Sequence, residues 1–222
     1  MGERRRAREL AQQAAEQGDA IEWFETLYDE ARRGDAVVPW ADLVPNPHLV
    51  RWLEEARSTH AGDALDVGCG YGDNARALAE AGYSVEAFDV SGTAVEHARG
   101  RFGEEVQFSV QDARHLPETW DGRFDLVCEI YTLQALPAEP RAEVLRSLCG
   151  AVRPGGTLLL VARGRDAGEA TALPPWPLAR SELDAVLHLR DAPRFESIAF
   201  EDFLDKEDPP VRRFMASYRR VS

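Results

Sequence analysis

The sequence predicts an α/β fold in which an open, doubly wound sheet carries helices on its faces. Three observations support it. The stretch Ala64-Leu-Asp-Val-Gly-Cys-Gly-Tyr-Gly-Asp-Asn74 runs from apolar residues through three alternate glycines into a helical pattern. Strand, glycine turn and helix is how an open α/β sheet builds a ligand crevice. Further apolar runs of strand length alternate with helical stretches as far as Val161, the order that produces parallel sheets. Finally, 222 residues that are 44% hydrophobic and 29% charged suit one globular domain with a sizeable core.

The elements follow in order. Residues 4–33 read as helical, with Leu10, Ala14, Ile21, Phe24, Leu27 and Tyr28 among the apolar positions. Gly18-Asp19 is expected to divide them into two helices, with Asp19 as an N-cap. Val37–Pro47 is a proline-rich loop, and a helix from Pro47 to Ala56 precedes the glycine motif. Ala64–Val67 is a buried strand, followed by the helix Asn74–Glu80 with Ala75, Leu78 and Ala79 as its apolar face. Then come the strand Ser84–Val90, the helix Thr93–Arg101, and the strands Val106–Ala113 and Phe124–Ile130. A helix over Arg141–Val152 and an Arg-Pro-Gly-Gly turn lead into an apolar strand ending at Val161. The stretch 162–178 carries few periodic signals, and a long loop of that kind is usually functional. A short helix, Arg180–Leu187, precedes two strands around Phe195–Phe203 and Arg212–Tyr218, joined through Asp208-Pro-Pro210 as a hairpin.

The glycine spacing narrows the ligand. A dinucleotide fingerprint is G-x-G-x-x-G, which sets a pyrophosphate on a helix N-terminus. Here the third glycine, Gly72, comes one residue early, and Asp66 and Asp73 would repel phosphates. A cationic or zwitterionic ligand suits the loop better. Asp89 ends the next strand, the place where such a crevice sets a carboxylate on ribose hydroxyls. It could equally cap the helix that follows Ser91.

The Asp66-x-Gly68-x-Gly70-x-Gly72 pattern resembles motif I of the class I S-adenosylmethionine-dependent methyltransferases. The later strand ends and the Arg153-Pro-Gly-Gly156 turn follow in the order seen in that family. The resemblance implies a Rossmann-like sheet of seven strands, six parallel and the last antiparallel, and S-adenosylmethionine as cofactor. It implies that Asp66, Gly68, Cys69, Gly70, Gly72, Asn74, Asp89, Val90 and Glu129 face the cofactor, and that Asp112 and Ala113 meet the adenine. Trp23-Phe-Glu-Thr-Leu-Tyr28, Pro39-Trp40 and Pro45-Asn-Pro-His-Leu-Val50 resemble the N-terminal region of the thiopurine S-methyltransferase and tellurite-resistance group. In that group this segment folds over the cofactor, so Trp23 and Trp40 are expected in a helical lid. The Thr171-Ala-Leu-Pro-Pro-Trp-Pro-Leu178 loop resembles a second lid. The expected organisation is a single domain: a lid over 1–45, a cofactor core over 60–162, a lid loop over 163–180 and a terminal helix and hairpin over 181–222.

Charge and cysteines set further bounds. The formal net charge is −13, whereas nucleic-acid binders present a basic face. A small neutral or cationic substrate is expected, with no nucleic acid and no membrane partner. Cys69, Cys128 and Cys149 and the five histidines show no metal-ligand spacing, so no metal is expected. The N-terminus lacks the apolar core of a signal peptide, and a cytoplasmic location is expected. The oligomeric state stays open, a monomer included.

Tyr28, Tyr131, Gln134, Arg163 and Trp176 are the candidate acceptor-site residues, with Glu129 as a candidate base. Tyr131 follows strand four, and Arg163 follows strand five, where a cation could lower a thiol pKa. No (Asp/Asn/Ser)-Pro-Pro-(Tyr/Phe) or Pro-Cys stands beyond strand four, which argues against methylation of base or glutamine nitrogen and of cytosine carbon. A thiol is already about 3% ionised at neutral pH and needs no base, so a thiol or dithiol is the expected acceptor. The alternatives are O-methylation of a hydrophobic natural product, and a non-catalytic module that binds S-adenosylmethionine.

Overall fold

The computed structural model describes residues 3–17, 21–56, 62–169, 171 and 174–221. Its internal contacts gather into two compact units, Met1–Asp112 and Ala113–Ser222.

The first unit opens with helices α1 (Glu3–Gln17), α2 (Glu22–Arg33) and α3 (Pro47–Ala56). The expected cap Asp19 lies outside the described residues. Helix α2 buries Trp23, Phe24, Leu27 and Tyr28 along one face and ends on Gly34 at φ 83°, where the absence of a Cβ makes the left-handed cap cheap. Three parallel strands follow, β1 (Asp63–Val67), β2 (Ser84–Asp89) and β3 (Gln107–Val110), in the order β3-β2-β1. Helix α4 (Asp73–Glu80) connects β1 to β2, and α5 (Gly92–Phe102) connects β2 to β3. Strand β1 is buried from Ala64 to Val67, as a parallel strand covered on both faces requires. Strand β3 is shorter than expected. It ends at Val110, half exposed at 50%, so Asp112 and Ala113 lie in the segment that follows.

The second unit holds β4 (Phe124–Ile130), helix α6 (Ala138–Ala151), β5 (Val152–Arg165), the two-residue β6 (Leu178–Ala179), helix α7 (Arg180–Leu183), β7 (Phe195–Leu204) and β8 (Arg212–Arg220). Strands β4 and β5 are parallel, β8 runs antiparallel to β5, and β7 closes the order β4-β5-β8-β7. Among the described residues there are therefore seven strands of four or more residues, with β8 the reversed one. The chain is a mixed α/β fold of Rossmann-like type.

The structure departs from expectation in three further places. The Arg153-Pro-Gly-Gly156 segment is the start of β5 and not a separate turn. Gly155 at φ 79° takes up the distortion, and the pairing with β4 shifts register between Phe124 and Leu126. Strand β5 also runs on to Arg165, and Gly164 and Arg165 pair with Leu178 and Ala179, so both ends of the expected loop are tied to the sheet. The terminal helix is a single α-turn, with Asp184–Leu187 continuing as 3-10.

Candidate functional site

The glycine loop after β1 is built from left-handed backbone. Gly68, Gly70 and Gly72 have φ of 63°, 53° and 87°, values that side chains other than glycine seldom adopt. Space is short as well. A Cβ on Gly70 would stand 2.8 Å from Tyr28 Oη, and one on Gly72 would stand 3.0 Å from Phe108 and 3.2 Å from Ala98. Cys69 donates its backbone N–H to Phe88 O at 2.8 Å, which ties the loop to β2. Its thiol is buried, and burial raises its pKa well above the ordinary value, so it packs as a small neutral filler.

Asp89, 6% exposed, organises the loop. Oδ2 accepts from Gly70 N at 2.9 Å, and Oδ1 accepts from Ser91 N at 2.9 Å. Burial raises its pKa, and these backbone donors act against the rise. The Val90 N–H also acts on this carboxylate, and of its four lone pairs at least one remains for a ligand hydroxyl. Ser91 in turn caps α5 by accepting from Ala94 N at 3.0 Å.

The N-terminal helices reach this loop. Glu25 accepts from Ser91 Oγ at 2.6 Å, Thr93 Oγ1 at 2.6 Å and Thr93 N at 3.1 Å, fixing α2 to the start of α5. Trp40 Nε1 donates to Tyr28 Oη at 2.9 Å. Trp23, Phe24, Tyr28 and Trp40 form an aromatic cluster, with Tyr28 also edge-on to Tyr71 at 5.3 Å. The two tryptophans expected in a lid thus meet, and Tyr28, expected with the acceptor, stands on the glycine loop. Asn74 Oδ1 accepts from Asn46 N at 2.8 Å, which holds the proline-rich loop to the start of α4. Asp73 forms a two-pronged pair with Arg101, at 2.7 and 2.8 Å.

This loop pairs close backbone approach with two buried carboxylates, Asp66 and Asp89. These acceptors fit a ligand bearing hydroxyls and positive charge, and disfavour a pyrophosphate.

The second group of candidates surrounds the end of β4. Glu129 is wholly buried. Its Oε1 accepts from Thr132 N at 2.6 Å and Leu133 N at 3.0 Å, while Oε2 has no hydrogen-bond partner among the described residues. Burial pushes the carboxyl up to about 7, and the two amides act against that rise. Tyr131 follows at φ 71°, a left-handed conformation costing a tyrosine on the order of 1–3 kcal/mol. The Arg213 guanidinium lies 4.5 Å from its ring centroid. Arg213 is itself buried, donating to Asp205 at 2.7 Å and also to Glu207.

Gln134 joins two of the other expected acceptor residues, Arg163 and Trp176. Its side-chain Oε1 accepts from Arg163 N at 2.6 Å, and its backbone O accepts from Trp176 N at 2.7 Å. A buried network missed in the sequence fixes this turn from behind. Arg141 donates to Leu133 O at 3.1 Å and Leu136 O at 3.0 Å and pairs with Glu182 at 2.7 Å, and Glu182 also holds Arg165 at 2.6 Å. No local motif marks Arg141, Glu182 or Glu25, because the Arg141–Glu182 pair spans 41 residues of chain and the Glu25–Ser91 bond spans 66. No group of His, Cys, Asp and Glu among the described residues could hold a metal ion. No helix among them is long and apolar enough to cross a membrane.

Residues 64–156 match the methyltransferase domain family. The chain is 27% identical over 174 residues to a 2-heptyl-1-hydroxyquinolin-4(1H)-one methyltransferase of Mycobacteroides abscessus, covering 74% of this chain and 75% of that protein. It is 30% identical over 174 residues to a cypemycin N-terminal methyltransferase of a Streptomyces species, covering 75% and 70%. Among solved structures it is similar to the Burkholderia thailandensis 1,6-didemethyltoxoflavin-N1-methyltransferase with bound 1,6-didemethyltoxoflavin and S-adenosylhomocysteine. That likeness has a TM-score of 0.69 at 19% identity and covers 90% of this chain and 86% of that one.

Proposed function

Because the chain belongs to the class I S-adenosylmethionine-dependent methyltransferases, we propose that it methylates a hydroxyl oxygen on a small, largely apolar molecule, with Glu129 as the base. The observation that carries this reading is the state of Glu129. It is a sealed carboxyl with a pKa of about 7, both backbone donors on one oxygen and the other oxygen unclaimed. A buried acceptor atom without a partner calls for an explanation, and a base performs best when its pKa lies near the working pH.

Glycines 68, 70 and 72 would let the backbone approach the cofactor. Asp89 would hold a ribose hydroxyl through its remaining acceptor capacity, and Asp112 and Ala113 would meet the adenine. Trp23 and Trp40 would cover the cofactor as part of α2 and the loop beyond it. The cofactor, when bound, supplies an electrophilic methyl group on a sulfonium. Glu129 Oε2 takes the proton of the acceptor hydroxyl, leaving an anionic oxygen as nucleophile. Tyr131, Gln134, Arg163 and Trp176 orient the acceptor, and alignment of this kind is worth up to about 7–11 kcal/mol. Two features favour an apolar acceptor. The name of the mycobacterial relative describes an alkylated hydroxyquinolone. The Val37–Val44 segment of this chain also exposes Val37, Trp40, Leu43 and Val44.

A second reading, methylation of a thiol, draws on the seal around Glu129, which is 0% exposed. An acceptor that ionises unaided needs no base.

One experiment separates the two: S-adenosylhomocysteine formation on matched panels of hydroxylated aromatics and thiols, with wild type and Glu129→Gln. On the hydroxyl reading, wild type turns over the hydroxylated panel with a rate that rises with pH to a plateau above about 7. The variant then loses about a hundredfold or more in kcat. Turnover of thiols alone, unchanged in Glu129→Gln, would replace the hydroxyl reading with the thiol one.

A further inference from the structure

The N-terminal helix α2 brings one more polar group to the glycine loop, and half of its hydrogen-bonding capacity is unspent. Tyr28 is 2% exposed, and its hydroxyl rests against Gly70 so closely that no Cβ would fit between them. The oxygen accepts from Trp40 Nε1 at 2.9 Å. A phenol donates as well as accepts, and among the described residues the Tyr28 proton has no acceptor. Burial, with Asp89 nearby, raises the phenol pKa well above the ordinary value, so the hydroxyl stays neutral and keeps that proton.

The loop around it is rich in negative charge, and the amides of Cys69 and Gly72 are given to Phe88 O and Cys69 O. Asp66 and Asp89 are both buried there, and the N–H of Gly70 is already given to Asp89 Oδ2. S-adenosylmethionine carries a carboxylate on its amino-acid half, and a carboxylate beside two buried acids is repelled unless a donor meets it. We propose that Tyr28 is a cofactor-binding residue that donates its hydroxyl proton to that carboxylate, with the Trp40 N–H polarising the hydroxyl from behind. Hydrogen bonds in a chain strengthen one another, so the pair reads the amino-acid half of the cofactor from the N-terminal segment. The inference rests on the cofactor assignment and is independent of the acceptor.

The test is titration calorimetry of the full chain with two ligands. S-adenosylhomocysteine carries the amino-acid half, and 5′-methylthioadenosine lacks it. Tyr28→Phe removes one oxygen and is expected to weaken S-adenosylhomocysteine binding about tenfold while leaving 5′-methylthioadenosine within about twofold. Equal weakening of both ligands would show that Tyr28 only shapes the loop, and no weakening of either would show that it makes no contact; each overturns the proposal. Trp40→Phe leaves Tyr28 in place and is expected to cost about threefold for S-adenosylhomocysteine alone. It serves if Tyr28→Phe does not fold, and a loss shared by both ligands overturns the proposal in the same way. Failure of the wild-type chain to bind S-adenosylhomocysteine would remove the cofactor assignment and this inference with it.

Discussion

The ends of β2 and β4 each hold a buried carboxylate fixed by backbone amides, and the two are wired differently. Asp89 divides its donors, Gly70 N on one oxygen and Ser91 N on the other. Glu129 takes both of its donors, Thr132 N and Leu133 N, on Oε1 and leaves Oε2 bare. Burial raises both groups, Glu129 to about 7. The difference separates two uses of an acid: one braces a loop and offers spare acceptor capacity to a hydroxyl, the other keeps an oxygen able to take a proton.

Stability separates the two carboxylates most directly. The Glu129 carboxyl rises from 4.5 to about 7 on folding, so the folded state binds its proton more tightly than the unfolded chain does. Its contribution is therefore complete below pH about 4.5, is lost as pH rises through 7, and leaves a buried charge above that. Glu129→Gln keeps an oxygen for the two amides and removes the charge. It is expected to stabilise the protein by about 3 kcal/mol at pH 8 and by nothing near pH 4, as measured by urea denaturation at both pH values. A loss of stability at pH 8 would mean that the carboxylate is structural.

Asp89→Ala is the counterpart. It removes the acceptor for two backbone donors and the proposed ribose contact, so cofactor affinity is expected to fall at least tenfold by calorimetry. Unchanged affinity would reduce Asp89 to a brace. The smallest effect is expected from Glu25→Gln, at the outer end of the same chain of bonds. A neutral amide keeps one acceptor for Thr93 and Ser91 but gives up the charge at the start of α5, a loss of about 1 kcal/mol in denaturant unfolding. Glu25 lies below its usual pKa range, burial opposing and the Ser91 and Thr93 hydroxyls outweighing it. The loss should therefore shrink as pH falls through that lowered value.

Much of this was legible in the sequence, for identifiable reasons. The glycine loop, the strand Phe124–Ile130 and the helix Pro47–Ala56 are set by local pattern, and the structure keeps those bounds. Helix α5 extends one residue beyond expectation at each end, with Ser91 capping its start. The Arg153–Gly156 stretch departs from expectation because Pro-Gly-Gly normally punctuates, whereas here the β4 pairs on either side of it, at Val152 and Thr157, carry the strand across it as an irregularity. Tyr28 was misplaced because apolar spacing shows which face of a helix is buried and not what covers it. The thiol expectation rests on the acidity of a thiol, which needs no base. Glu129 was visible as a residue, but its state depends on burial and on two amides three and four residues away, and only folding supplies them.

Gln134 bears on how such an enzyme could be given a new substrate. Its backbone oxygen holds Trp176, and Arg165 Nε holds Pro177 O at 2.9 Å. These two bonds sit side by side at the point where the stretch after β5 rejoins the sheet through Leu178. The sequence between Asp166 and Pro175 can therefore be treated as an exchangeable cassette. A graft of different length or polarity that retains Trp176, Pro177 and Leu178 inherits the same docking point, while β5 and Glu129 stay as they are.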